Sequence, residues 1–141
     1  MIIDKITITN NTIQKYNLHG SFPNLNISDN VTTDFTLDSL TENGMDITLS
    51  TTALKNLTLQ GNINKFINNS QAVSCNKIVL SDLYSENLTL QLDNFKTYSD
   101  SININLRKGS TIEDIYISGT NNECCTAYNI NGSVNTIHIL D

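Results

Sequence analysis

A six-position pattern of apolar and polar residues recurs along the chain. An apolar residue is followed by two variable residues and then by an apolar, a polar and an apolar residue; the clearest copy is LKNLTL at residues 54–59. Weaker copies occupy residues 13–18, 32–37, 85–90, 112–117 and 134–139. The last three positions alternate as in a strand with one buried face. From Tyr16 to Ile137 the copies are spaced by 19, 22, 31, 27 and 22 residues, which predicts six strands with a loose repeat.

A second set of short alternating segments lies between most of these copies, at residues 25–27, 47–49, 78–80, 102–106 and 128–130. Asparagine–glycine and serine–glycine pairs mark turns between segments, at residues 43–44, 61–62, 118–119 and 131–132. Each unit therefore carries two strands joined by turns. Helical spacing is present at Ile63, Phe66 and Ile67. The sequence therefore also allows one helical turn within residues 63–75.

A coil of stacked units explains this pattern. We predict one all-β domain over residues 1–141, a β-solenoid of about five to six rungs in which equivalent strands form parallel ladders. On one sheet, the predicted inward column is Tyr16, Phe35, Leu57, Leu88, Ile115 and Ile137. The predicted outward column is Asn17, Thr36, Thr58, Thr89, Tyr116 and His138.

The alternative architecture is an antiparallel β-sandwich or jelly roll. Roughly a dozen short strands at 8–12-residue spacing would also suit that fold. The sixfold recurrence favours the solenoid, whereas the uneven spacing of the copies favours the sandwich.

The segment LKNLTLQGN at residues 54–62 resembles the strand consensus of leucine-rich repeats, L-x-x-L-x-L-x-x-N. The other copies lack the closing asparagine, and no regular helix is predicted after each strand. The resemblance implies a solenoid that presents a surface to partners. It transfers no binding residue to this chain.

Composition and charge narrow the choice of partner. Charged residues make up 16% of the chain, and the net charge is −6. Only eight lysines and arginines are present, so we expect no direct nucleic-acid binding, which requires neutralisation of phosphates. An acidic protein suits a basic partner, including the nucleic-acid groove of another protein.

The lack of a recognisable signal peptide or membrane helix, together with the cysteine usage, predicts the cytoplasm of a host cell. Residues 1–5 do not begin a signal peptide, and no apolar run approaches the roughly 20 residues of a membrane helix. The three cysteines, Cys75, Cys124 and Cys125, are an odd number, so we expect reduced thiols.

The sequence predicts no catalytic, cofactor or metal site. The two histidines, His19 and His138, are not part of any metal-ligand spacing, and phosphate-binding glycine motifs are absent. Glu113 and Asp114 are adjacent on a predicted strand and should point to opposite faces, so they need not form an acid–base pair. A small glycan-binding or glycan-processing protein remains an alternative, although sugar sites favour aromatic platforms and tryptophan is absent.

Docking of a protein partner on the outward face is the function that the sequence favours. Tyrosine is enriched at binding hot spots, and the predicted binding residues are Tyr84, Tyr98, Asp114, Tyr116 and His138. We interpret the chain as a non-enzymatic interaction module and, more narrowly, as an inhibitor encoded by a phage or mobile element and similar in character to anti-CRISPR proteins. A structural component of a virion fibre is the second alternative.

The predicted strand at residues 137–140 reaches almost to the end of the sequence, so we expect an uncapped strand edge. Such edges invite pairing with another chain. A homodimer through the C-terminal coil is the resulting prediction.

Overall fold

The computed structural model describes residues 3–9, 13, 15–28, 34–51, 54–69, 73–75, 77–92, 95–97, 101–118 and 127–140. These residues form strands and no helix. The strands are β1 (Lys5–Thr9), β2 (Lys15–Gly20), β3 (Asn24–Ser28), β4 (Asp34–Ser39), β5 (Met45–Ser50), β6 (Asn56–Asn68), β7 (Val73–Cys75), β8 (Lys77–Tyr84), β9 (Asn87–Gln91), β10 (Phe95–Thr97), β11 (Ser101–Leu106), β12 (Thr111–Ser118), β13 (Ala127–Asn131) and β14 (Ser133–Leu140).

The strands build two ladders whose neighbours all run parallel. The first ladder has the order β2-β4-β6-β8-β11-β13, and the second has the order β1-β3-β5-β6-β9-β12-β14. The long strand β6 belongs to both, because its first half pairs in the first ladder and its second half in the second. The short strands β7 and β10 form a separate parallel pair. The predicted solenoid is confirmed, with about five turns, and the antiparallel sandwich is wrong.

Alternation along each strand puts the apolar side chains inside the coil. In β4 every second residue is buried, including Phe35 and Leu37, while the residues between them are half-buried. Phe35 stacks in register on Leu57, and both are at most 1% exposed. Since one strand pair cannot enclose a core by itself, each turn depends on its neighbours for burial.

The predicted single inward column is divided between the two ladders. Tyr16, Phe35 and Leu57 stack in the first ladder, where the next residue is Ile78. The remaining predicted members, Leu88, Ile115 and Ile137, stack in the second ladder. The prediction of one column on one sheet is therefore wrong.

The outward column divides in the same way. Asn17, Thr36 and Thr58 lie in the first ladder, and Thr89, Tyr116 and His138 lie in the second. The 31-residue spacing between Leu57 and Leu88 is the longest in the predicted repeat because these two residues belong to different ladders. Both strands of a coil show the same local alternation, so the pattern does not reveal which ladder a strand joins.

The predicted helical turn at residues 63–75 is also wrong, because residues 63–68 continue strand β6. The register against β5 shifts so that Met45 pairs with Ile63 and Asp46 with Lys65. Asn64 is the extra residue of this bulge. The bulge turns both Ile63 and Phe66 inward three positions apart, which imitates helical spacing.

Gly61 lies where β6 bends from one ladder to the other. Its φ is +90°, and a Cβ added there would lie 2.2 Å from the backbone oxygen of Ser39 in the preceding coil. Gly109 has nearly the same φ, +86°, but no heavy atom lies within 4 Å of the position of an added Cβ. Comparing substitutions at these two glycines therefore distinguishes the cost of a strained backbone, which both share, from the cost of close packing between coils, which applies only to Gly61.

We expect Gly109→Ala to lower the free energy of unfolding by about 1–2 kcal/mol, the cost of a left-handed backbone with a side chain. Gly61→Ala should cost at least about 2 kcal/mol more, because the Ser39 carbonyl must move and weaken the pairing between coils. Urea unfolding followed by circular dichroism measures both variants. Equal losses would contradict the close contact at Gly61.

Candidate protein-binding surface

Three of the predicted binding residues meet on the outer face of the second ladder. Parallel pairing of β12 with β14 places Tyr116 beside His138. Their rings stack with centroids 4.4 Å apart and planes within 8° of parallel. Asp114 lies two residues before Tyr116 on the same face, and its Oδ1 is 3.0 Å from Nε2 of His138. These residues are called the outer-face cluster below.

The outer-face cluster is both fixed and accessible. The side chains of Asp114 and His138 are each 37% exposed. Beneath the cluster, Ile115 and Ile117 are fully buried and anchor β12 in the core. Side chains that are already held by a stacking partner and a hydrogen bond lose little conformational entropy when they bind. The cluster therefore resembles a preorganised contact point more than a set of mobile surface chains.

A second group forms around Arg107, which directly follows β11. Its Nε and Nη2 donate to the two carboxylate oxygens of Asp82 at 2.9 and 2.7 Å. Its guanidinium carbon also lies 3.6 Å from the centre of the Tyr84 ring. Bidentate pairing and contact with an aromatic face together fix the orientation of the guanidinium.

Asp82 occupies a bulge in β8. Gln60 pairs with Ser81 and Gly61 with Leu83, which leaves Asp82 as the extra residue. Its φ of +51° is a left-handed conformation that aspartate tolerates. The hydrogen bonds from Arg107 hold the pKa of the Asp82 carboxyl below its usual value, and the same contact raises the pKa of Arg107.

An open groove of about 500 Å³ runs beside Tyr84, and Glu42, Asn62 and Glu86 also line it. A neighbouring groove of about 330 Å³ shares Glu86 with the first. Asn62 is buried and donates to the carbonyl oxygens of Thr41 and Glu42, both at 2.8 Å, which holds the wall of the groove in place.

The grooves continue into the outer-face cluster. Asn87 and Thr89 line the smaller groove, and they pair in register with Asp114 and Tyr116. Among the described residues, the walls of the two grooves carry three carboxylates and one lysine, namely Glu42, Asp46, Glu86 and Lys65. The two grooves and the outer-face cluster therefore form one acidic surface, with Tyr84 at one end and Tyr116 at the other.

The structure thus brings some of the predicted binding residues into contact and leaves others apart. Asp114, Tyr116 and His138 are in mutual contact, whereas Tyr84 lies at the far side of the grooves, against Arg107. Tyr98 lies outside the described residues.

Sequence reasoning missed the pairing of Arg107 with Asp82. The two residues are 25 positions apart, and no local pattern connects them. It also missed the acidic grooves, whose glutamates Glu42 and Glu86 come from different coils.

The outer face of the first ladder is different in character. Asparagine amides stack along it, with Asn129 donating to Asn103 at 3.1 Å and Asn131 donating to Asn105 at 2.9 Å. Such amide rows satisfy one another between coils and leave fewer polar groups for a partner. This face supplies control positions for binding experiments.

The two histidines lie on different ladders. His19 lies 3.0 Å from Asp38 on the first ladder, and His138 contacts Asp114 on the second. Cys75 is buried, and its Sγ lies within 3.5 Å of the Lys55 and Lys77 carbonyl oxygens. In the part of the chain that the structure describes, no three histidine, cysteine, aspartate or glutamate side chains are grouped to hold a metal ion.

Comparison with family models, curated proteins and solved structures found no match to this chain. No helix among the described residues is long and apolar enough to cross a membrane.

We expect Arg107→Ala to raise the pKa of Asp82 toward the usual aspartate value, because the charge-assisted hydrogen bonds are removed. The Asp82 side chain is 54% exposed, so the accompanying stability change is small and weakened by salt. Because the pKa is lowered in the folded state, that stabilisation is present above the unfolded pKa and is lost as the pH falls through the folded value. Titration of the Asp82 carboxyl carbon by NMR measures the shift, and Lys108→Ala is the matched control. An unchanged pKa in Arg107→Ala would contradict the pairing.

Proposed function

We propose that this chain is a non-enzymatic protein-interaction module that docks a basic surface of a protein partner through the outer-face cluster and the acidic grooves beside it. The observation that carries the proposal is the half-buried stack of Tyr116 on His138 at the surface of the second ladder, fixed by Asp114.

The aromatic part of the surface supports docking. A tyrosine ring offers a large contact area with few rotatable bonds, and Tyr116 is held flat against His138 before any partner arrives. Tyr84 offers a second fixed ring beside the larger groove. Hot spots at protein interfaces are rich in such aromatic anchors.

Charge supports a basic partner. The chain carries a net charge of −6, and the grooves between the two aromatic groups contribute Glu42, Asp46 and Glu86. A concave surface of one sign attracts the opposite charge and accelerates encounter. Lysine and arginine side chains of a partner would reach these carboxylates while its apolar groups cover Tyr116.

An inhibitor of nucleic-acid-handling machinery, anti-CRISPR-like in character, is the narrower form of this proposal. Proteins that bind nucleic acid present basic grooves lined with lysine and arginine. An acidic, rigid surface fits such a groove better than it fits a neutral one. The negative charge of the chain supports this narrower proposal. The identity of the partner remains a prediction.

Pull-down from a lysate of the native host, with quantitative mass spectrometry, tests the docking surface. We expect the unmodified chain to capture a partner. The Tyr116→Ala variant should bind that partner at least about tenfold more weakly, the loss typical of a hot spot. Asp114→Ala should weaken capture as well, because it frees His138. Asn103→Ala, on the outer face of the first ladder, is the control and should capture normally. Equal capture by Tyr116→Ala and the control would exclude this surface.

A charge-reversal pair tests the grooves once the partner is purified. Glu86→Lys should slow association more than Asp38→Lys, although both change the net charge equally, because only Glu86 lies in the grooves. The difference should shrink as salt is added. Surface plasmon resonance measures both association rates, and equal rates would rule out a role for the grooves.

A further inference from the structure

We propose that the larger groove beside Tyr84 is a subsite for one guanidinium group, supplied by an arginine side chain of the protein partner. The subsite deepens the proposed function and rests on it for the source of the arginine. The residues that select the guanidinium are Glu42, Asn62 and Glu86, which all line this groove.

The groove exists because one coil lacks a corner loop. In the coils on either side, residues 40–44 connect β4 to β5 and residues 85–86 connect β8 to β9. Between them, β6 passes from the first ladder into the second as one continuous strand that bends at Gly61. The two loops therefore stand about 10 Å apart, twice the spacing of adjacent strands, and the corner of β6 forms the floor between them.

Each loop places a carboxylate beside this floor. Glu42 lies in the first loop and Glu86 in the second, and both residues are exposed. The described residues that line the groove include no lysine or arginine. Arg107 contacts Tyr84 nearby, but its charge is neutralised by the two carboxylate oxygens of Asp82. The groove thus offers negative charge on two sides to a group that enters between the loops.

Asn62 lies on the floor with one half of its amide unsatisfied. The residue is 7% exposed, and its Nδ2 donates to the carbonyl oxygens of Thr41 and Glu42. Since both carbonyls need a donor, the orientation of the amide is fixed. Oδ1 lies on the other side of the amide carbon, away from that loop and toward the coil of Tyr84, which pairs in register with Asn62. Oδ1 is buried and accepts no hydrogen bond from any described residue.

The unsatisfied Oδ1 of Asn62 indicates a hydrogen-bond donor in the bound state. Nearly all buried polar groups in proteins have a partner, and a donor that enters from the groove would recover the desolvation cost of this oxygen. Because Oδ1 is covered by neighbouring atoms, the lining side chains must shift slightly to admit that donor. Together with the two carboxylates, Oδ1 makes the groove a set of acceptors that suits a ligand rich in donors.

A guanidinium group matches this set of acceptors better than an ammonium does. It is always charged, carries five N–H donors in one plane and has no acceptor. Its flat shape lets it serve a carboxylate on each edge and a third acceptor at its tip, whereas an ammonium directs its donors from a single point. It is also less strongly hydrated, so it loses less when it enters a groove.

The wall that carries Glu42 is held in place before a ligand arrives. Asn62 binds the carbonyl oxygens of Thr41 and Glu42, and Nδ2 of Asn64 donates to the carbonyl oxygen of Asn43 at 2.8 Å. The loop is therefore tied to β6 at consecutive carbonyl groups. A wall fixed in this way loses little conformational entropy on binding.

Titration of the isotope-labelled chain with N-acetyl-arginine methylamide, followed by NMR, tests the subsite. We expect the side-chain amide signals of Asn62 and the backbone amide signals of Ser85 and Glu86 to shift saturably. N-acetyl-citrulline methylamide is the matched probe, because it has nearly the same shape and no charge, and it should bind at least about tenfold more weakly. The corresponding lysine probe should bind at least about threefold more weakly than the arginine probe.

Two conservative variants test the walls. Glu42→Gln and Glu86→Gln keep the size of the side chain and remove its charge, so each should weaken binding of the arginine probe at least about fivefold. Asp38→Asn is the matched control, because it removes a carboxylate from the first ladder, outside the groove, and it should bind the probe normally. If a glutamine variant does not fold, the arginine and citrulline probes on the unmodified chain still decide.

Equal binding of the arginine and citrulline probes would overturn the proposal, as would equal binding by folded Glu86→Gln and Asp38→Asn. Shifts that leave the Asn62 side-chain signals unchanged would overturn it as well. Tighter binding of the lysine probe would overturn it in favour of an ammonium site. Tighter binding of free arginine than of the blocked probe would overturn it in favour of a site for a small metabolite.

The titration needs no partner, so its failure is distinct from failure of the proposed function. Saturable binding of the arginine probe together with normal capture by Tyr116→Ala would keep the guanidinium site and remove the docking surface. Loss of capture by Tyr116→Ala without binding of the arginine probe would keep the docking surface and remove the guanidinium site.

Discussion

Parallel, in-register pairing between successive coils is the constraint on which the rest of this structure depends. Each inward side chain rests on its equivalent one coil away, as Phe35 rests on Leu57 and Ile115 on Leu88. No coil has a core of its own, so burial is a property of the stack. Ile137 and Ile139, which pair with one strand among the described residues, are half-exposed, whereas Ile115 and Ile117, which pair with two, are fully buried.

The same register arranges the exterior. Residues that are far apart in the chain become neighbours at the spacing of adjacent strands, which produces rows of like side chains such as Asn103 with Asn129. It also produces the outer-face cluster, because Tyr116 and His138 occupy equivalent positions in consecutive coils. The candidate binding surface is thus a by-product of the stacking that holds the core, and its rigidity has the same origin.

Bulges mark the places where the regular coil is interrupted, and they lie near the grooves. Asn64 bulges where β6 turns into the second ladder, and it lines the smaller groove. Asp82 bulges in β8 next to Leu83, which pairs with Leu106, and its carboxylate is held by the residue that follows, Arg107. Bulges bend a strand and re-aim its side chains, and each bulged strand contributes a residue to the groove walls, Asn64 from β6 and Tyr84 from β8.

The sequence by itself indicated the strand character of most segments and the inward and outward residues within them, because alternation with period two is a local property, and the recurrence of the pattern favoured a coil over a sandwich. It also selected Asp114, Tyr116 and His138 as outward residues. Only the tertiary structure decided which ladder each strand joins, that Leu57 continues to Ile78 and not to Leu88, and that Arg107 meets Asp82. These outcomes depend on bulges and on register between residues 20 or more positions apart, which no local pattern specifies.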